Sequence, residues 1–97
     1  MAKLAIVATI KTAPGRRDEY LKPLRAHAER CRANEPGTLQ FDILVPHDDQ
    51  NAVMLYEVYA SPEAFDAHWN GDSMKQMRRE TEGFGATLSG VRGDVVE

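Results

Sequence analysis

Short runs of alternating or continuous apolar residues predict four β-strands. The first, Lys3 to Lys11, mixes β-branched and small apolar residues and stops at the turn-forming pair Pro14-Gly15. The glycines at positions 90 and 93 predict that the last strand is bulged or bent. The predicted strands cover residues 3–11, 38–46, 53–59 and 86–96.

Segments with helical periodicity lie between these strands. Residues 16–34 repeat apolar or small side chains at helical spacing, which predicts a helix. Pro23 lies inside this stretch, so we expect either a kink at Pro23, which we favour, or a regular helix that begins only near Leu21. Ser61-Pro62-Glu63 has the cap, the proline and the acid that begin a second helix. In it Phe65, His68 and Trp69 share one face, which we expect to point at the sheet. A further helical stretch spans residues 73–82.

The order β-α-β-β-α-β predicts an α+β, ferredoxin-like fold with helices on one face of an antiparallel sheet. We expect residues 1–97 to form one domain, because a chain of 97 residues leaves no room for a second core. The first strand has apolar residues at both parities, Leu4, Ile6 and Ala8 against Ala5 and Val7. A sheet buried on both faces is therefore expected, with the second layer supplied by a homodimer.

Charge and composition exclude several partners. The net charge of −3 would repel a phosphate backbone, so we expect no nucleic acid partner. The apolar run near the start is too short for a signal peptide, and no stretch approaches the ~20 apolar residues of a membrane span. Cys31 is the only cysteine, which favours a reduced, cytoplasmic setting and a small buried side chain.

His68 and Glu57 are the two candidate catalytic residues. An imidazole on an inward helical face can accept or donate a proton near neutral pH, although the spacing alone favours a half-buried structural histidine. Glu57 interrupts an apolar strand and must be paired, protonated or exposed. If it faced His68 it would fix the imidazole tautomer. The alternation of side chains along the strand does not decide which face of the sheet Glu57 occupies.

Apolar and aromatic residues on several elements predict either a pocket for a flat aromatic ligand or an ordinary core. These candidate substrate-binding residues are Phe41, Tyr56, Phe65, Trp69, Met74 and Met77. We expect no metal site, because His27, His47 and His68 lie on three different elements and no His-x-x-x-His or Cys-x-x-Cys pair occurs. The sequence has no phosphate-binding glycine loop and no nucleophile elbow.

Two segments carry a family resemblance. Glu35-Pro36-Gly37 with the five residues after it, and residues 55–68 from Leu55 to His68, resemble motifs of small antibiotic biosynthesis monooxygenase (ABM) proteins. The resemblance implies a homodimeric α+β barrel and oxidation of phenolic or quinol substrates by O₂ without a cofactor. It also implies proton handling by His68 and its tuning by Glu57. Haem-degrading relatives have an Asn in the first strand, where this chain offers only Thr9 as a polar inward candidate.

Other readings of the same family stay open. Some relatives are isomerases of small carbonyl or phosphorylated compounds, which would require a cation in the pocket, with Arg25, Arg78 and Arg79 as candidates. A dimeric small-molecule binder without catalytic activity is the third alternative.

Overall fold

The computed structural model describes residues 2–97 and has four strands and three helices in the predicted order. In chain order the elements are β1 (Leu4–Lys11), α1 (Arg17–Asn34), β2 (Thr38–Leu44), β3 (Ala52–Tyr59), α2 (Pro62–Trp69), α3 (Asp72–Glu80) and β4 (Thr87–Asp94).

The four strands form one antiparallel sheet in the order β2-β3-β1-β4. The two central strands are the most apolar ones, and the helices pack on one face of the sheet. The predicted α+β, ferredoxin-like fold is confirmed.

Alternation along the central strands determines which side chains meet the helices. On β1, Ala8 and Ile10 face the core, and on β3 Val53 and Leu55 do so. They pack against one stripe of α1, in which every third or fourth residue is buried: Tyr20, Leu24, His27, Ala28 and Cys31. The apolar stripe of α1 therefore ends in a histidine and a cysteine, beside the site described below.

The helix α1 runs without interruption through Pro23. The alternative that its regular part begins only near Leu21 is wrong, because the first turn at Arg17 to Tyr20 is already helical. Proline removes one backbone donor, and the helix accommodates this loss in its first half, ahead of the buried residues that approach the site. None of the helices within residues 2–97 combines the length and the apolar character needed to cross a membrane.

The sheet has a bulge in β2, whereas the sequence predicted one in β4. β4 pairs with β1 in continuous register from Thr87 to Asp94, so the bulge predicted from Gly90 and Gly93 is wrong. The register shifts in β2 instead, between Thr38 and Gln40. The extra residue, Leu39, is 49% exposed, whereas Thr38 is buried. A bulge places two residues of one strand opposite one residue of its neighbour, so Leu39 has no partner on β3 and its side chain lies outside the core.

Candidate functional site

A cavity of about 320 Å³ lies between the helices and the helix-facing side of the sheet, next to β4. Its wall is mainly apolar and aromatic, with a few polar groups. The aromatic and polar side chains on this wall include Phe41, Glu57, Phe65, His68, Trp69 and Arg92, and also His27. A volume near the lower end of the range for ligand sites suits a single small ring system.

Most of the predicted site residues line this cavity. The lining includes His68, Glu57, Phe41, Phe65 and Trp69. Two residues of α3 also line the cavity, Met74 and Met77. The structure brings these side chains together and leaves their roles as predictions.

Two predictions about strand faces are wrong. Tyr56 does not line the cavity, because its neighbours Leu55 and Glu57 face inward and successive side chains of a strand point to opposite faces. Thr9 is not inward either. Ala8 and Ile10 flank it and both line the cavity, so the polar residue of β1 lies on the other face of the sheet.

His68 is buried and held by a carboxylate. Its side chain is 3% exposed, and its Nδ1 lies 2.8 Å from Oε1 of Glu35. A carboxylate can only accept, so Nδ1–H donates and Nε2 is left with a lone pair. The same arrangement of an imidazole oriented by an acid occurs in catalytic triads. In the neutral ring this bond thus leaves the second nitrogen of His68 without a hydrogen, on a residue that lines the cavity.

The contact between His68 and Glu35 depends on how α2 begins. The Ser61 hydroxyl accepts from the backbone N–H of Ala64 at 3.1 Å, which confirms the predicted cap and sets the helical register that places His68 inward. Glu35 follows α1 as its C-cap residue. Between them Gly37 packs directly on Ala64, since a Cβ added at Gly37 would lie 2.5 Å from the Ala64 Cβ.

Replacing Gly37 by Ala is therefore expected to lower the free energy of unfolding by about 1–3 kcal/mol, because α2 must move away to admit the new methyl group. Urea denaturation measures the change. The matched control is Gly93→Ala, where nothing lies within 4 Å of the added Cβ. Equal stability of the two variants would show that the α2 packing is looser than described.

Glu57 faces the helices and makes a different contact from the one expected. It is 6% exposed and accepts a hydrogen bond from the Tyr59 hydroxyl, two residues along the same strand. Burial raises the pKa of the Glu57 carboxyl above its ordinary value, although the Tyr59 bond acts in the opposite direction. The expectation that Glu57 fixes the His68 tautomer is wrong in this respect, because Glu35 provides that hydrogen bond.

His27 and Cys31 join the site from α1 and were not predicted. The imidazole of His27 lines the cavity, 5.6 Å from the His68 ring between centroids. Burial, followed by the proximity of His68 and Arg30, lowers the pKa of His27 to about 4. Burial and the nearby Glu35 raise the pKa of the Cys31 thiol to about 12. Both groups are therefore uncharged at neutral pH.

The signal for this pair was present in the sequence. His27, Cys31 and Glu35 are each four residues apart, so they follow one face of α1 to its end. The prediction that no metal site exists rested on the three histidines and on the absence of His-x-x-x-His and Cys-x-x-Cys pairs. It overlooked the His-x-x-x-Cys pair, which the structure places against His68.

The three arginines considered as anion ligands lie in solvent. All three are exposed and none lines the cavity. The Arg78 guanidinium lies over the Trp69 ring, 4.9 Å from its centroid. A cation that was not predicted does line it. The Arg92 guanidinium lies 5.0 Å from the centroid of the Phe65 ring, at the side of the cavity formed by β4.

Comparison with known proteins gives a consistent result. The profile of the family described as antibiotic biosynthesis monooxygenase matches residues 4–80. A proposed antibiotic biosynthesis monooxygenase from Caulobacter crescentus has a similar structure, with a TM-score of 0.92 at 26% identity over 99% of this chain and 92% of that one. A second one, from Nitrosomonas europaea, has a TM-score of 0.89 at 21% identity over 98% and 91%. No curated protein sequence matches significantly.

Proposed function

The chain belongs to the antibiotic biosynthesis monooxygenase family, and on that premise we propose that it oxidises a small phenolic or quinol compound with O₂ and without a cofactor. The family supports a monooxygenase in general terms. The substrate class and the roles of individual residues below are our proposal.

The observation that carries the proposal is the His68–Glu35 pair on the cavity wall. Nε2 of His68 is the proton acceptor, and Glu35 stabilises the positive charge that the ring acquires. His27, the second imidazole at the cavity, is a poor acceptor because burial has lowered its pKa to about 4.

The proposed reaction begins when His68 removes the phenolic proton. The electron-rich anion adds O₂ at a ring carbon that carries hydrogen, and the peroxide formed takes a proton from the imidazolium. Loss of the ring C–H proton then places its electron pair in a new C=O bond while the O–O bond breaks. Hydroxide leaves and is protonated to water. One oxygen atom enters the product, the other becomes water, and the phenol becomes a quinone.

The cavity suits such a substrate because its wall offers three aromatic rings from two elements. Phe41 comes from β2, and Phe65 and Trp69 come from α2. The Phe41 and Phe65 rings lie next to His68, and Trp69 stacks on Phe65. Aromatic walls hold flat rings by offset or edge contacts. They also exclude water, which protects a reactive anion from competing proton transfer.

We further propose that two chains pack sheet against sheet. On the face away from the helices Val7 is 47% exposed and Val91 is 74% exposed, and the two are paired across β1 and β4. Tyr56 lies on this same face. Contiguous apolar surface on an open sheet is typical of an interface, and a second copy would cover it without another domain.

Arg92 supports one alternative. A cation at the cavity wall would hold an anionic carbonyl or phosphorylated compound, as the isomerase reading requires. Isomerisation consumes no oxygen, and a binder without activity consumes nothing.

Oxygen consumption therefore separates these readings. With chelator-treated protein and a panel of phenols and hydroquinones, we expect uptake of one O₂ per substrate for at least one compound. With ¹⁸O₂, mass spectrometry should find one labelled atom in the product. Uptake that yields hydrogen peroxide and an unlabelled quinone would contradict monooxygenation, and no uptake with any compound would contradict the proposed substrate class.

A further inference from the structure

Three buried donor groups meet beside the cavity, and the proposed reaction uses only one of them. His27, Cys31 and His68 are 2%, 0% and 3% exposed. One ligand atom from each lies within 4.8 Å of the others. Imidazole nitrogen and thiolate sulfur are the donors that Zn²⁺ and similar ions take in proteins.

The two sulfur-to-nitrogen distances fit a tetrahedral ion. With metal–sulfur and metal–nitrogen bonds of about 2.3 and 2.0–2.1 Å, the sulfur-to-nitrogen edge of a tetrahedron is about 3.5 Å. The Cys31 Sγ lies 3.6 Å from Nδ1 of His68 and 3.6 Å from Nε2 of His27. It lies 3.7 Å from Nδ1 of His27, so either nitrogen of that ring is close enough to serve as the ligand.

A fourth donor is already in contact with the cluster. Oε1 of Glu35 lies 2.8 Å from the same His68 nitrogen that faces the sulfur. If an ion replaces the hydrogen on Nδ1, Glu35 loses the hydrogen bond from His68. Its Oε1 keeps the bond that it accepts from the Thr38 hydroxyl at 2.8 Å, and the second oxygen of the carboxylate is the one that would bind the ion. Two neutral imidazoles, one thiolate and one carboxylate balance the charge of a divalent cation. Such a neutral complex avoids the cost of burying a net charge.

We propose that His27, Cys31, His68 and Glu35 form a binding site for a thiophilic divalent transition-metal ion such as Zn²⁺. The backbone prepares it, since three of the ligands follow one face of α1 at intervals of four residues and the capped helix α2 supplies the fourth. His27 and His68 line the cavity, which gives the ion an entry path, whereas Cys31 lies behind them.

Binding would change the proposed reaction, and only this consequence rests on the proposed function. A metal-loaded chain has His68 Nδ1 and Glu35 engaged with the ion, so the arrangement that makes His68 a proton acceptor is lost. Metal binding would then inhibit substrate oxidation. Binding itself is measured without substrate, so failure of either proposal leaves the other testable.

Cobalt(II) tests the site directly, because tetrahedral Co²⁺ has intense visible bands and a thiolate ligand adds a near-ultraviolet charge-transfer band. Tag-free, chelator-treated full chain is titrated with Co²⁺ under reducing conditions. We expect both sets of bands to saturate at one ion per chain and to disappear when Zn²⁺ is added. Cys31 is the only cysteine in the chain, so a charge-transfer band from wild-type protein identifies its sulfur without any variant.

The matched variants are Cys31→Ser and His47→Ala. The first should remove the charge-transfer band and weaken binding by more than about 100-fold, because loss of a ligand costs more than loss of its outer-shell partner. The second removes an exposed histidine of the β2–β3 loop and should change nothing. Absence of a charge-transfer band in wild-type protein, or loss of binding in the His47 variant, would overturn the proposal.

Discussion

Replacing His68 by Gln is expected to lower the rate of substrate oxidation by about 10²- to 10⁴-fold, the usual contribution of a positioned general base. The amide of Gln can still donate to Glu35, and the Glu35 carboxylate also keeps the hydrogen bond from the Thr38 hydroxyl. Only the basic nitrogen is lost. The fold should therefore persist while proton removal fails.

Steady-state oxygen uptake measures this effect, with the thermal unfolding midpoint recorded beside it. His47→Gln is the control, since His47 is an exposed loop residue. A His68→Gln variant that folds and oxidises substrate at the wild-type rate would remove His68 from the mechanism.

Glu35→Gln is expected to give the second largest loss, between about 10- and 10⁴-fold in kcat, with the upper value seen when the orienting acid of a catalytic triad becomes an amide. Glu35 acts through His68 as a positioning residue. An amide can turn its NH₂ toward Nδ1, and the imidazole then carries its hydrogen on Nε2, where the lone pair is needed.

Two readouts separate positioning from a structural role. The loss should appear in kcat with little change in KM, because the cavity wall is intact. Replacement of Glu29, an exposed residue of α1, by Gln should leave kcat unchanged. If Glu57→Gln rather than Glu35→Gln reduced kcat, the tuning of His68 would lie with Glu57 as the family resemblance implied.

The fold was predictable from sequence because each element carries its own local signal. The Ser61-Pro62 start, the apolar strands and the helical periodicity are short-range features. The bulge at Leu39 was not predictable, since it depends on how β2 aligns with β3. Glycines in β4 pointed to the wrong strand, because glycine permits a bulge without requiring one.

The site was predictable in part for the same reason. The helical register of α2 was enough to place Phe65, His68 and Trp69 on one face, and all three line the cavity. The faces of Tyr56 and Thr9 were uncertain because both central strands are apolar at each parity.

Glu35 could not be predicted as a partner of His68 because 33 residues separate them. They meet through tertiary contacts, among them the packing of Gly37 on Ala64. Contacts of this kind depend on tertiary packing and not on local pattern. The same holds for Cys31, whose burial was predicted from its residue type while its neighbours His27 and His68 were not.

The central claim, that His68 takes a proton from a bound phenol, is tested most directly without oxygen. A chromogenic phenol whose pKa lies above the assay pH is mixed anaerobically with metal-free protein, and the phenolate absorbance is recorded. We predict that the phenolate band appears on binding to wild-type protein and is lost with His68→Gln. A phenol that binds but stays protonated, or that ionises equally in the variant, would contradict the claim.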